Sequence, residues 1–448
     1  DAFKRKVQHH LFMNFPQFFR HLPSYRLWSL EYPDAIAKEF SKTNLPEKRQ
    51  QTLTDENYKA KLPSFLMISH SLGGGTEHHL QQLGKKLEAE GVQVWALRAL
   101  GHQWVRLLPY HHLEEDGLIY HLETEKEALL KQLEEYNIQL IHVHHLVDFA
   151  PGFADWVRHI ATQLEVPYDF TAHDYLSICP RFTLYHDATR GYCGEPDVKH
   201  CSGCVKSFGS SAGRNVDVEQ WRANYADFLN HARHVYTPDT DVKTRLERYL
   251  PEATITNRPH WDEQPITPIA RNRKAGEPLR VLTLGGIAPH KGSMVLKECA
   301  EDAKARALPV EFTLIGFSDI DWQLKKLITV TGPYRADDLP ELLRQGQFDM
   351  VFLPAVWPET FNYTLSEVLH YGLYPVSFDI GAIARRINEI GYGNVLPYKY
   401  YRYADKINDA LLAIDLPDEV PVKKLEKAQA SYKNILQEYY NLDINAAT

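Results

Sequence analysis

Two glutamates separated by seven residues are the first pair that could share a chemical task. Glu359 and Glu367 lie in Pro354-Ala355-Val356-Trp357-Pro358-Glu359-Thr360-Phe361-Asn362-Tyr363-Thr364-Leu365-Ser366-Glu367. Glu359 reads as a loop residue and Glu367 as part of the first turns of a helix, so the loop can turn both carboxylates to one ligand. Carboxylates near a helix start suit acceptance from sugar hydroxyls. Thr364-Leu365-Ser366-Glu367 also has the spacing of a capping box, which would occupy Glu367 locally. A second candidate is Leu284-Gly285-Gly286-Ile287-Ala288-Pro289-His290-Lys291-Gly292, where a strand ends in glycines and a lysine opens the next helix. A lysine beside unpaired helix N–H groups suits a diphosphate, although the spacing is not that of a Walker loop. The third turn is His70-Ser71-Leu72-Gly73-Gly74-Gly75-Thr76-Glu77, whose glycines allow close backbone approach to an anion or form a plain tight turn.

Four of the five cysteines fall in Cys179-x13-Cys193-x7-Cys201-x2-Cys204. Four thiols with one C-x2-C half-site suggest a tetrahedral zinc stapling an irregular loop, with disulfides or unligated thiols as alternatives. His173, His186 and His200 are near enough in sequence to replace one ligand. Cys299 stands alone in a helical stretch and reads as a small apolar residue. His142, His144 and His145 end a strand and either line a cleft or pack internally. His9-His10, His78-His79 and His111-His112 show no partner set at ligand spacing.

The elements that position these residues alternate. Strands are predicted at Ser64–Ser69, Val92–Leu97, Gln139–His144, Tyr168–Thr171 and His234–Thr237, with helices at Glu77–Glu90, Glu123–Tyr136, Phe153–Leu164 and Val218–His231. The rhythm breaks over 174–215. Five prolines in 251–278 (Pro251, Pro259, Pro265, Pro268, Pro278) read as an interdomain linker. A second series follows, with strands Leu279–Leu284, Val310–Ile315, Ile328–Thr331, Asp349–Leu353 and Tyr374–Phe378. Its helices are Gly292–Arg306, Asp337–Gln345, 364–371 and Ile380–Ile390, and the tail Val422–Tyr440 reads as one charged amphipathic helix. Such alternation predicts an α/β chain of two doubly wound domains facing across a cleft.

Composition narrows the classes further. The 448 residues carry 50 basic and 58 acidic side chains, net −8, which argues against a basic nucleic-acid binder. With 44% hydrophobic residues the chain can build more than one core. No apolar run reaches the ~18 residues of a membrane span, and the first 30 residues lack the apolar segment of a signal peptide. A cytoplasmic setting is the expectation, and the start at Asp1 suggests a trimmed or excised chain. Residues 1–60, with Phe12, Phe15, Phe18, Phe19, Tyr25, Trp28 and Tyr32 among basic residues, are expected to form a helical extension or a basic-aromatic surface for a membrane interface or partner.

Taken together, Glu359-x7-Glu367 after an apolar strand, Lys291-Gly292 after Gly285-Gly286, the Gly73–Gly75 turn and Thr171-Ala172-His173-Asp174 resemble a retaining glycosyltransferase of family 4, over roughly residues 62–441. The resemblance implies a GT-B fold: an extension over 1–60, an acceptor-side Rossmann-like domain over 61–262 with the Cys-rich insertion 174–215, a donor domain over 263–421, and a C-terminal helix over 422–448 returning to the first domain. It implies a nucleotide-diphosphate sugar as donor, a glycan or lipid-linked glycan as acceptor, and transfer of a hexose or deoxyhexose in surface-polysaccharide (O-antigen type) assembly, at the inner face of the membrane or fused to further domains. No divalent metal is needed for that catalysis. Lys291 would hold the diphosphate, Glu367 the ribose hydroxyls, and Glu359 the transferred sugar. The backbone of Phe361 and Asn362 and the Gly73, Gly74 and Gly75 turn would meet phosphate or sugar, His173 would face the sugar, and Thr331-Gly332-Pro333-Tyr334 would cradle the base. Gly286 occupies a position where the family carries arginine, so Arg181 and His290 become candidate helpers for charge neutralisation. An inactive binding protein, or a soluble synthase acting on a small sugar phosphate, is the alternative.

Overall fold

The computed structural model describes residues 62–442 except 72, 102, 113–116, 151 and 262. The expected extension over 1–60 lies outside the described residues. Two sheets dominate the structure. The first contains β1 (Ser64–Ser69), β2 (Gln93–Gly101), β3 (Trp104–Pro109), β4 (Leu118–His121), β5 (Ile138–Val143) and β6 (Tyr168–Thr171). A small antiparallel hairpin, β7 (Tyr185–His186) and β8 (Gly191–Tyr192), interrupts it before β9 (His234–Thr237) and β10 (Ile255–Asn257) complete it. Its order is β10-β9-β6-β5-β1-β2-β3-β4, parallel from β10 to β2 and antiparallel at β2-β3-β4.

The second sheet contains β11 (Leu279–Ile287), β12 (Val310–Ser318), β13 (Thr329–Val330), β14 (Met350–Leu353), β15 (Pro375–Phe378) and β16 (Asn394–Leu396), in the order β13-β12-β11-β14-β15-β16 and parallel throughout. Every residue of β1, β14 and β15 is buried, as expected for parallel strands covered by helices on both faces. Each sheet has one place where the strand order turns back, β1 beside β5 in the first and β11 beside β14 in the second. Ligands of doubly wound folds bind beyond the carboxyl ends of the strands at such points.

Several expectations change. The stretch 251–278 is not all linker, because β10 lies within it as the edge strand of the first sheet. The 174–215 segment is not irregular: it holds the β7–β8 hairpin and a helix, Val198–Phe208, whose start is capped by the Asp197 carboxylate accepting from the His200 N–H at 2.9 Å. The tail is not one helix. Val422–Ala428 is helical, and a separate π-type turn spans Ile435–Tyr439. Between them Ser431 Oγ and Tyr432 Oη donate to Glu263 and the Pro259 carbonyl, and Asn434 starts the new turn by accepting from the Gln437 N–H at 2.8 Å. Side-chain bonds of this kind compete with helix continuation. The Glu90 carboxylate, at the end of helix Gly74–Ala89, accepts from the N–H groups of Ile435 and Leu436. Ile435, Tyr439 and Tyr440 then bury against Phe65, Met67 and Leu80, so the tail returns to the first sheet.

Candidate functional site

Beyond β11 and β14, Gly286, Lys291, Glu359 and Asn362 line one depression together with Thr283, Pro354 and Thr364. Two tight approaches build it. The turn carrying Lys291 runs into Gly292, at φ +83, where a Cβ would stand 2.0 Å from the Pro354 carbonyl oxygen. Only glycine lets the lysine turn press against the end of β14. Val356 N–H donates to the His290 carbonyl at 3.0 Å, closing the same contact. On the other side Gly381, at φ +65, lets helix Gly381–Ile390 abut Pro358, and the Ala382 N–H donates to the Glu359 carbonyl at 2.9 Å.

Glu359 is buried, and its Oε1 accepts from Trp357 Nε1 at 3.1 Å. Asn362, with φ +73, caps helix Tyr363–His370 by accepting from the Leu365 N–H at 2.7 Å. The capping box expected over Thr364–Glu367 is therefore not what starts this helix, and Glu367 falls one turn in. There it stands beside Tyr334, whose hydroxyl burial and the Glu367 charge push above its ordinary range. Glu367, Tyr334 and Phe361 are not in the lining of the depression itself.

Arg386 was not singled out by the sequence, yet it shapes the loop. Its Nη1 donates to the carbonyls of Phe361 (3.0 Å) and Asn362 (3.1 Å), its Nη2 to Ser366 Oγ (2.9 Å), and its guanidinium lies 4.2 Å over the Phe361 ring. In a trans peptide the N–H points opposite the C=O, so holding these carbonyls aims the N–H groups of Asn362 and Tyr363 the other way. The Gly286 departure also has a physical account: a Cβ there would stand 2.9 Å from the Phe317 ring, whose side chain is half exposed. An aromatic ring covers the space a longer side chain would need.

Neither proposed helper neutralises charge at the depression. Desolvation lowers the His290 imidazole to about 3, with Lys291 adding to the shift, and its ring packs edge-on against Trp357. A neutral imidazole adds no positive charge. Arg181 is paired with Asp187, donates to the Gly209 carbonyl at 3.3 Å and stacks over Phe208.

The first sheet faces this site with glycine and histidine. Gly73 caps helix Gly74–Ala89, so the expected triple-glycine turn is the start of this helix, and a Cβ on Gly75 would stand 3.3 Å from the Tyr363 ring, to which His78 packs edge-on. Thr360 Oγ1 donates to the His173 carbonyl at 2.6 Å, tying the glutamate loop to the end of β6. Behind the cleft, Arg385 Nε and Nη2 donate to the fully buried carboxylate of Asp239 at 2.6–2.8 Å.

His142 is an internal residue, with Nδ1 2.7 Å from Tyr440 Oη and Nε2 2.8 Å from Thr171 Oγ1. His145 Nε2 lies 2.6 Å from Asp174. His79, which sequence spacing leaves without partners, stacks on His260 at 3.8 Å and stands edge-on to His173 at 5.2 Å. No sequence signal marks that meeting, because the three come from separate elements.

The four cysteines of the insertion carry no disulfide. Cys193 Sγ accepts from the Glu195 N–H at 3.4 Å, and Arg222 Nη2 lies 3.3 Å from Cys201 Sγ. Burial pushes the Cys179 thiol up to about 12 and that of Cys193 to about 11. No three of the sulfurs come within 4.8 Å of one another. The insertion is held by Glu195, buried yet kept below its usual carboxylate range by bonds from Tyr192 and Arg245, which outweigh desolvation. It bridges the domains, with Tyr192 N–H donating to Tyr398 Oη at 2.6 Å and Tyr401 Oη to the Thr189 carbonyl at 3.2 Å.

No family model matches this chain, and no curated protein matches it in sequence. Solved structures do. Sucrose-phosphate synthase from Thermosynechococcus elongatus is 16% identical with a TM-score of 0.52, covering 82% of this chain and 94% of that one. The lipopolysaccharide outer core galactosyltransferase WaaB, in its apo form, is 11% identical with a TM-score of 0.52, covering 85% and 99%. Anabaena HepE in complex with UDP is 14% identical with a TM-score of 0.50, covering 82% and 93%. The chain has the GT-B architecture of two Rossmann-like domains across a cleft.

Proposed function

We propose that the chain is a glycosyltransferase that takes a nucleotide-diphosphate sugar as donor. The observation that carries this reading is the convergence of Gly286, Lys291, Glu359 and Asn362 on one depression at the switch point of the second sheet. Beside it, Arg386 aims the N–H groups of the glutamate loop. The fold, shared with a galactosyltransferase and with a protein that holds UDP, supports it.

In this reading Lys291 and the N–H groups of Asn362 and Tyr363 hold the diphosphate, and Glu359 contacts the transferred hexose or deoxyhexose. Glu367 accepts from the ribose hydroxyls, with Tyr334 and the Thr331–Gly332 strand end beside the base. The Gly73–Gly75 turn and His173 form the opposite wall. Transfer proceeds with retention, by front-face attack on an oxocarbenium-like centre. The leaving diphosphate accepts the acceptor's proton, and positioning and electrostatics supply most of the rate. The acceptor is a glycan or lipid-linked glycan of polysaccharide assembly, met at the inner membrane face. The Cys179, Cys193, Cys201 and Cys204 insertion would hold a structural zinc only if its sulfurs drew closer together, a reading supported by the Glu195 N–H bond to Cys193 and by Cys201 and Cys204 lying one turn apart on one helix. The missing charge at Gly286 favours a second reading, a donor-binding protein without transfer.

Donor hydrolysis separates the two readings. Purified protein with each nucleotide sugar is expected to release sugar slowly to water, and Lys291→Ala to lower that rate ~10²–10³-fold while leaving Tm within about 2 °C. No hydrolysis of any donor, with binding intact, would select the binding protein.

A further inference from the structure

We propose that His79, His173 and His260 bind one divalent transition-metal ion of the imidazole-preferring class, with zinc as the representative, at the seam between the two domains. Among the described residues these three side chains bring their ligand atoms within 4.8 Å of one another. They come from three places that must be held together: helix Gly74–Ala89, the end of β6, and the connector that leaves β10. Zinc bonds to imidazole nitrogen at about 2.0–2.1 Å, which sets tetrahedral ligand atoms about 3.3 Å apart. Small ring rotations close the difference.

The hydrogen bonding points the same way. Both ring nitrogens of His79 and Nδ1 of His260 are buried and make no hydrogen bond, and His79 is fully buried. Buried polar atoms in folded proteins are almost always satisfied, and a metal ion would engage one of these nitrogens on each residue at once. His173 Nε2 lies 3.1 Å from His144 Nδ1, which occupies that nitrogen and leaves Nδ1 to offer. A second contact of this sort orients metal-bound imidazoles.

Three ligands leave one coordination position. His173 is the partly exposed member of the set, with His79 and His260 buried. His260 stacks parallel to Tyr363 at 5.8 Å and edge-on to Phe361 at 5.0 Å. Metal binding would therefore fix the connector, the His173 ring and the underside of the glutamate loop as one unit. The proposal goes beyond the donor reading and does not depend on it.

The test must separate this site from the cysteines. Full-length protein carrying Cys201→Ser and Cys204→Ser, stripped with chelator, is titrated with Co²⁺ and followed by absorption. The expected result is uptake of one Co²⁺ per chain with visible d–d bands and no sulfur-to-cobalt charge-transfer band. His260→Gln in that background is expected to weaken Co²⁺ binding at least ~10-fold. No uptake by the Cys201→Ser/Cys204→Ser protein, or equal affinity with His260→Gln, would overturn the proposal. Should His260→Gln fail to fold, paramagnetic NMR of the Co²⁺-loaded Cys201→Ser/Cys204→Ser protein decides. Three shifted imidazole N–H signals support the site, and none contradicts it.

Discussion

The two sheets turn their switch points toward each other, and the two points are chemically unlike. At the second sheet, β11 and β14 present a lysine, a buried glutamate and oriented N–H groups. At the first, β5 and β6 end in His144 and His173, imidazoles that burial keeps neutral. The difference assigns the labour. In the proposed function, the C-terminal side is the one that holds the donor's negative charge and the N-terminal side the one that orients whatever approaches. The strand patterns agree: the second sheet is parallel throughout, whereas the first carries an antiparallel hairpin and the Cys-rich insertion.

Gly292→Ala should break the comparison most severely. A Cβ at φ +83 and 2.0 Å from the Pro354 oxygen combines backbone strain with overpacking, together costing about 4 kcal/mol. Urea unfolding is expected to show the second domain melting early, while the first keeps its transition. Equal loss in both domains would mean that they fold as one unit.

Arg385→Ala probes how the two sides are held. It strands the buried Asp239 carboxylate, which among the described residues retains only the Asp241 N–H bond. Arg385 is one-third exposed, so a loss of about 2 kcal/mol is expected. Small-angle scattering should also show a more open molecule. An unchanged scattering profile would place domain closure elsewhere, with Thr360 and the β7–β8 hairpin.

His290 sharpens the donor side at smaller scale. Its imidazole sits at about 3 in the fold against 6.5 when unfolded, so the unfolded chain binds the extra proton. Its contribution is complete above about pH 6.5 and lost as pH falls toward 3, at most ~1.4 kcal/mol per pH unit. In His290→Leu the decline of stability between pH 6.5 and 4.5 should be shallower than in the wild type. Equal slopes would show that the imidazole is hydrated.

What the sequence disclosed follows from range. The glutamate loop and the lysine turn are local, so their residues are adjacent in the chain and their order could be read directly. The helix start at Asn362 was hidden because a capping box and an asparagine at φ +73 offer competing local solutions, and tertiary anchoring by Arg386 goes with the second. The β3–β4 hairpin escaped because Gly101 and Pro109 break the apolar rhythm around it. The Val422–Tyr440 periodicity looked continuous, yet Glu90, far away in sequence, caps a second turn within it. The histidine set could not be read at all, since its three members meet only through the topology of the first sheet.

The central claim is that the second switch point holds a nucleoside diphosphate. It is tested most directly by thermal shift with UDP, GDP, ADP and dTDP on the wild type and Glu367→Ala. The account predicts that one nucleotide raises Tm selectively and that Glu367→Ala weakens its binding ~10–100-fold, the size of a lost charged hydrogen bond. Stabilisation by none of the four, or an affinity untouched by Glu367→Ala, would contradict it.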